Sequence, residues 1–269
     1  MIKYASEVVI FILVRIDSPE RARNLDLTLS HLYGTGIRLE VWEIDAEQKY
    51  QLKLSSERIF YHFVFDCDPV FHRTLYWDSL FKKSKYPVVG IWDADIIVEY
   101  WQIEEAVRRV VEGDSVLCLP YNGVVKALSS KASQEYARCG RTVLWTRHPK
   151  EAIRLMGRLS TGGAVLMNRI IYLNCGGENK NFYGWGPEDA ERVHRVEILG
   201  YSVSWVSGDH YFIYIIHEVI ILGISVKNRG LKTEMNLLES VICLAKNWKN
   251  IYYHGNRIVV IGRIGKIGL

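Results

Sequence analysis

Paired cysteines are missing from this chain. Its five cysteines, Cys67, Cys118, Cys139, Cys175 and Cys243, are odd in number, widely spaced and free of any CxxC pattern. That excludes a zinc-ribbon type of site and a disulfide framework, and points to free thiols in a reducing compartment. Long apolar runs are missing as well. The run Val8–Val14 is bounded by Glu7 and Arg15, too short to span a bilayer and without a cleavage pattern. Dense Lys/Arg runs with interleaved aromatics are absent, as are zinc-finger and RRM-like signatures, and the net charge is only +4. Nucleic acid is therefore not expected as a partner. Mild basicity of this size fits a phosphate-bearing ligand or an anionic membrane surface. No internal repeat or linker divides the chain.

What is present is an ordinary globular composition. Of the 269 residues, 49% are hydrophobic and 24% charged, with 8 Trp and 16 Tyr, enough for one large α/β domain. Val8–Val14 reads as a buried parallel strand. Ser18-Pro19-Glu20 reads as a helix start, with a cap residue, Pro at the first turn and an early acid. Leu25, Leu29 and Leu32 keep helical spacing, and Gly34-Thr-Gly36 ends the run. Strands follow at Arg38–Ile44, Ile59–Phe65, Val88–Trp92 and Ser115–Leu119, with helices at Val70–Lys83 and Gln102–Val111. This β-α-β alternation predicts a parallel sheet with helices on its faces. Its ligands are expected beyond the C-terminal strand ends, where Arg15, Asp17, Asp45, Asp93 and Asp95 fall. Residues 126–158 are rich in Lys and Arg and read as a loop or helical excursion, near the active-site mouth or simply solvated. Further on, strands are expected at Gly162–Met167, Tyr201–Val206 and Tyr211–Ile216, and helices at Glu188–Leu199 and Leu231–Trp248. The tail 251–269 reads as a membrane-touching surface, a final strand or an untidy terminus. The whole is read as one domain over 1–269, with a nucleotide-binding half (1–120) and an acceptor-binding half (121–269).

Two clusters carry chemistry. Asp93-Ala94-Asp95 follows a strand directly, so both carboxylates can turn to one ligand. Oxygen donors suit Mn2+ or Mg2+, and such a cation can bridge a diphosphate and stabilise its departure. A bare D-x-D is a common accident; the strand end gives this one its weight. Gly184-Trp-Gly-Pro-Glu-Asp189 is the second. Its glycines permit a tight loop exposing Trp185, and Glu188 and Asp189 fall in the first turn of a helix. An acidic helix start is the bland reading. The functional one is an acceptor site, with Trp185 stacking on a sugar and one carboxylate taking the acceptor proton.

These residues resemble a family. Gly162-Gly163 through Asn181-Phe-Tyr-Gly-Trp-Gly-Pro-Glu-Asp189 is similar to the GG-to-GWGGED block of the β-1,4-galactosyltransferases. Phe71-His-Arg73 resembles the family's FNR element. Val14-Arg-Ile-Asp-Ser-Pro-Glu-Arg21 resembles its PFRNR strand end, and Trp92-Asp-Ala-Asp95 its D-V-D block. Tyr214-Ile-Ile-His217 falls where the family has M-x-x-H. The five elements keep the family's order over roughly residues 8 to 218. Bacterial GT-A enzymes of polysaccharide assembly share this skeleton, and the chain looks closer to them.

The resemblance implies a GT-A fold, a Rossmann-like, mostly parallel sheet flanked by helices. It implies transfer of a hexose from a UDP-sugar to a saccharide or lipid-linked oligosaccharide acceptor, with Mn2+ or Mg2+. Arg15, Arg21, Phe71 and Arg73 would bind the uridine end of the donor, and Asp93 the ribose and diphosphate. Asp95 and His217 would be metal ligands, Gly163 and Trp185 would line the donor–acceptor junction, Glu188 would hold acceptor hydroxyls and Asp189 would be the base. Asp17 and Asp45 join the nucleotide-sugar contacts by their strand-end positions, Asp45 toward the uracil. His210 is expected behind the site, and His31, His62, His148 and His194 on the surface or in the core. The chain departs from the family at Tyr214 for Met, Pro187 for Gly and Ala190 for an acid. The competing classes are a sugar nucleotidyltransferase and a non-catalytic carbohydrate-binding protein. The first strand is followed by Arg15-Ile-Asp-Ser-Pro where a nucleotidyltransferase has a Gly-rich basic loop. Asp95, Asp189 and His217 together argue against a binding module. The expected setting is the cytoplasm, at the inner membrane surface, in capsule- or O-antigen-type polysaccharide assembly with an inverting mechanism.

Overall fold

A computed structural model describes residues 1–54, 56–128, 130–139, 152–154, 159–184, 186–212, 251–254 and 257–260. Its contacts divide the chain into two compact units, Met1–Ile213 and Tyr214–Leu269. The 120/121 boundary read from the sequence falls inside the first unit.

Every residue of β1 (Val8–Val14) is buried, as its uninterrupted apolar run requires of a central parallel strand. Burying one such aliphatic side chain contributes roughly 1.5–3 kcal/mol. The chain then reverses through α1 (Pro19–Tyr33). Ser18 caps this helix by accepting from the Arg21 amide at 3.2 Å, and Leu25, Leu29 and Leu32 face the core. β2 (Arg38–Asp45) and β3 (Ile59–Phe65) add on one side of β1, each parallel to its neighbour. After α2 (Arg73–Lys83), β4 (Val88–Trp92) pairs parallel to β1 on its other side.

The described elements that follow in this unit include β5 (Ile96–Ile97), α3 (Tyr100–Val111), β6 (Leu117–Leu119), β7 (Val125–Leu128), α4 (Ser130–Cys139) and β8 (Ala152–Arg154). After them come β9 (Ala164–Asn168), α5 (Arg169–Asn174), α6 (Glu188–Ile198), β10 (Val203–Trp205) and β11 (His210–Phe212). The main sheet runs β10-β6-β9-β4-β1-β2-β3, with β9 antiparallel to both its neighbours. It is the mostly parallel sheet flanked by helices that the sequence predicts. A second sheet runs β5-β11-β7-β8. In the second unit, β12 (Ile251–His254) and β13 (Arg257–Val260) form an antiparallel hairpin.

Three local expectations need correcting. The basic segment 126–158 is not only loop and helix, because Lys126–Leu128 and Ala152–Arg154 pair as antiparallel strands. The helix expected from Val70 begins at Arg73, because the Asp66 and Asp68 carboxylates accept from the Asp68 and Val70 amides at 2.9 Å and hold a turn there. The last strand of the main sheet is Val203–Trp205 rather than the full Tyr201–Val206. The helix expected at Leu231–Trp248 lies outside the described residues. Cys67, Cys118 and Cys175 carry free thiols.

Candidate active site

The sheet order reverses at β1 and β4. From β1 the chain winds outward through β2 and β3, then returns to place β4 on the opposite side. The C-terminal ends of strands at such a switch leave a crevice that no crossover helix fills. Arg15 and Asp17 leave β1 there, and Asp93 and Asp95 leave β4. Because β9 runs antiparallel, with Ala164 opposite Trp92, its N-terminal Gly162-Gly163 arrives at the same end. The Asp93 amide donates to the Gly163 carbonyl at 2.8 Å. Gly163 has φ +94°, a backbone setting that favours glycine.

Arg15 is held from three directions. Its Nε donates to the Ile44 carbonyl at 2.7 Å, Nη1 to the Pro69 carbonyl at 3.3 Å and Nη2 to Asp66 at 3.5 Å. It lies 5.1 Å from the centroid of the Phe71 ring. This cation and ring, brought together from residues 56 positions apart, form one edge of the crevice. Arg21 donates from Nε to Asp17 at 2.8 Å. Burial works against its charge, but Asp17, Asp95 and Asp93 outweigh it and raise the pKa. Asp45 accepts from Lys49 Nζ and the Ala46 amide, each at 2.8 Å. It stands beside the Arg15 cluster through the Asp66 amide, which donates to its carbonyl at 3.0 Å.

Arg73 is the centre of the site. Its Nη2 donates to Asp93 Oδ1, and its guanidinium lies 4.4 Å from the Trp77 ring centroid. Burial opposes its charge, but Asp93, Asp189 and Glu188 together raise its pKa. Its Nε is buried with no hydrogen-bond partner among the described residues. Beside it, burial and the charge of Asp93 push the Asp95 carboxyl up to about 7, against the opposing pull of Arg21 and Arg73.

The opposite wall is the start of α6. Glu188 is buried and accepts from the Gly186 amide at 3.1 Å. Burial and neighbouring Asp189 raise its pKa. Asp189 lies so close to Gly162 that a Cβ there would collide with its Oδ2. Tyr121 braces the same backbone, its hydroxyl oxygen lying 2.5 Å from the Gly162 carbonyl and 3.0 Å from that of Ser160. Strand-end acids and helix-start acids, 93 to 96 residues apart in sequence, thus act on one arginine, Asp93 by a direct ion pair and Glu188 and Asp189 through their charge.

Of the residues expected at the site, Arg73, Asp93, Asp95, Gly163, Glu188 and Asp189 gather in this cluster. Arg15, Phe71, Asp17, Arg21 and Asp45 lie in the flanking groups described above. Trp185, Tyr214 and His217 lie outside the described residues. Sequence reasoning missed Trp77 and Tyr121, and also the buried Glu178 and Arg192, the latter donating to both Glu178 oxygens and to Asp189 Oδ1. Only the helical i, i+3 step from Asp189 hinted at Arg192. A cavity of about 550 Å3 lined by Lys3, Trp101, Glu104, Arg108, Arg109 and Val206 shares no residue with this cluster.

Residues 148–218 match the family model described as the N-terminal domain of galactosyltransferase. No curated protein matches the chain. Among solved structures, the catalytic domain of Drosophila β1,4-galactosyltransferase 7 in complex with xylobiose is 13% identical, with a TM-score of 0.43 over 86% of this chain and 79% of that one. A mutant of the same Drosophila enzyme, in complex with manganese, UDP-Gal and xylobiose, is also 13% identical. Its TM-score is 0.47 over 85% of this chain and 78% of that one. Similarity at this level carries no argument about activity. The chain resembles the galactosyltransferase family over residues 148–218, a stretch that contains Gly162, Gly163, Glu188 and Asp189.

Proposed function

We propose that the chain is a metal-dependent glycosyltransferase of GT-A type that moves a hexose from a UDP-sugar to a saccharide hydroxyl with inversion. The observation that carries this reading is the ion pair of Arg73 with Asp93 at the end of β4, close enough to the Glu188–Asp189 pair at the start of α6 for their charges to raise the Arg73 pKa as well. Two carboxylate groups on separate elements, with a cation between them, suit a donor on one side and an acceptor on the other.

The residues fit an anionic, metal-bound donor. Arg73 Nε is a buried donor that a phosphate oxygen would satisfy. Asp95 carries a cost of ionisation that a divalent cation would remove. Asp95 would hold that Mn2+ or Mg2+ directly, with Asp93 beside it at the ribose and diphosphate and His217 a further ligand by the family pattern. When bound, the cation offsets negative charge on the departing diphosphate. Arg15 and Phe71 offer the uridine end a guanidinium and a ring face. On the acceptor side, Glu188 orients sugar hydroxyls and Asp189 accepts the proton of the attacking one. As the acceptor oxygen bonds to the anomeric carbon, the bond from that carbon to the phosphate oxygen breaks, and UDP leaves with the electron pair. The proton ends on Asp189.

The mild positive charge supports an anionic setting. Cytoplasmic action on a lipid-linked oligosaccharide, in capsule- or O-antigen-type assembly, is part of the proposal. No helix among the described residues is long and apolar enough to cross a membrane. A screen of UDP-hexoses with Mn2+ and saccharide acceptors tests the reaction, with acceptor-dependent UDP release expected. Formation of UDP-sugar from sugar-1-phosphate and UTP, with no transfer from any UDP-hexose, would overturn it in favour of a nucleotidyltransferase.

A further inference from the structure

Arg192 is 1% exposed and Glu178 4%, charges buried behind the helix start that carries the two acids. The Arg192 guanidinium uses both edges. Nε and Nη2 donate to Glu178 Oε1 and Oε2, each at 3.0 Å, while Nη1 donates to Asp189 Oδ1 at 2.8 Å. Tyr172 donates to Glu178 Oε1 at 2.8 Å. The Arg192 guanidinium lies 5.6 Å from the Trp77 ring centroid, and that ring also packs against Arg73. A buried ion pair is seldom worth more to stability than apolar residues of the same volume, so stability alone is a weak reason for this one. What it does have is a third arm, aimed at an acid whose side chain is 33% exposed.

We propose that Arg192, locked by Glu178 and Tyr172, is a positioning residue for Asp189. An aspartate in the first turn of a helix samples several rotamers, whereas a base must sit within about 0.5 Å of its productive position. Arg192 pins Oδ1 with a charge-assisted bond. Oδ2 lies against Gly162, where the absence of a side chain leaves room for it. The carboxylate is thereby held through Oδ1, with Oδ2 turned toward the Gly162 backbone. Glu178 acts one step further back, because its two oxygens set the plane of the guanidinium.

This inference rests on the role given to Asp189 above. The test uses the full chain and the double variant Glu178→Gln/Arg192→Met. That variant removes both charges together and leaves Tyr172 an acceptor, so no buried charge is stranded. With a UDP-hexose and a saccharide acceptor, kcat falls about 10²-fold, the usual effect of misplacing a reacting group by about 1 Å, while the donor KM and the circular dichroism spectrum are unchanged. Placed on top of Asp189→Asn, the double variant costs nothing further, because it acts through a carboxylate already lost. An unchanged kcat, or a full additional loss in the Asp189→Asn background, overturns the proposal. A crystal structure of the double variant reads the same point without turnover. Asp189 rotated away from Gly162 supports the proposal, and Asp189 unmoved overturns it. If the double variant does not fold, Arg192→Lys, which keeps the charge but cannot fork, carries the same measurements. Failure of the proposed reaction is separate, because the wild-type chain would then transfer no sugar.

Discussion

Asp189 and Asp95 answer different questions at the residue scale. Replacing Asp189 with Asn keeps the shape and removes the proton acceptor. Turnover should fall roughly 10²–10⁴-fold, the range for loss of a general base, while UDP binding measured by calorimetry stays as it is. A matching loss of UDP affinity would move Asp189 to the donor side. Asp95 predicts a pH dependence whose sign follows from its raised pKa. Without metal its carboxyl stays protonated up to about pH 7, and a cation must displace that proton to bind. Apparent Mn2+ affinity should therefore rise about tenfold per pH unit up to pH 7 and level off above it. The raised value also costs the metal-free fold stability as pH climbs from about 4, where an unfolded Asp ionises, toward 7. Asp95→Asn removes that slope. Mn2+ titration followed by electron paramagnetic resonance checks the first, and a flat profile from pH 5.5 to 7 would contradict it. Asp93, Asp95, Glu188 and Asp189 were legible in the sequence because each pair is adjacent or nearly so and sits at an element boundary. Glu178 and Arg192 were not. An arginine at helical spacing among Glu191, His194 and Arg195 looks like part of a solvated face, and its burial against the Trp77 ring and the Glu178–Tyr172 pair depends on partners far along the chain.

At the scale of elements, legibility followed periodicity. β1, α1 and β4 have uninterrupted runs or cap signals, and the structure has them where the sequence put them. β5, β7 and β8 are two to four residues long. Strands that short have no period to detect, and partners far along the chain decide them. The start of α2 depends on the 66–73 loop, which is tied to the 179–184 loop. Tyr183 donates to Asp68 at 2.6 Å, His72 lies 2.9 Å from the Lys180 carbonyl and Thr74 donates to the Phe182 carbonyl at 3.1 Å. Two element-level outcomes can be measured. Ser18→Ala removes the cap of α1 and should cost about 1 kcal/mol, read as a lower midpoint in a urea melt with unchanged slope. Gly162→Ala drives a methyl into Asp189 Oδ2. It should lower kcat while leaving UDP binding intact, and full activity in this variant would mean that Asp189 does not work from the position seen here.

At the scale of the whole molecule, the stereochemistry of the proposed reaction follows from the arrangement of two walls. The wall proposed for the donor belongs to the first part of the chain, where the sheet reverses between β1 and β4 and supplies Arg15, Asp93 and Asp95. The wall proposed for the acceptor belongs to a later part, where β9 begins at Ala164, just after Gly163, and α6 begins at Glu188. Arg73, from the helix between β3 and β4, lies between them. In the proposed reaction the leaving diphosphate sits with the first wall, and Asp189 draws the nucleophile in from the second. Attack from the side opposite the leaving group inverts the anomeric centre, and it needs one base and no covalent sugar–enzyme intermediate. A UDP-α-hexose should therefore give a β-linked product. The anomeric proton in the NMR spectrum of the isolated product distinguishes the two outcomes by its coupling constant for a gluco- or galacto-configured sugar. An α-linked product would mean that the acceptor approaches from the side the diphosphate leaves. Asp189, on the other wall, would then be in the wrong place to take the acceptor proton, and both the inverting mechanism and the base assignment would fall together.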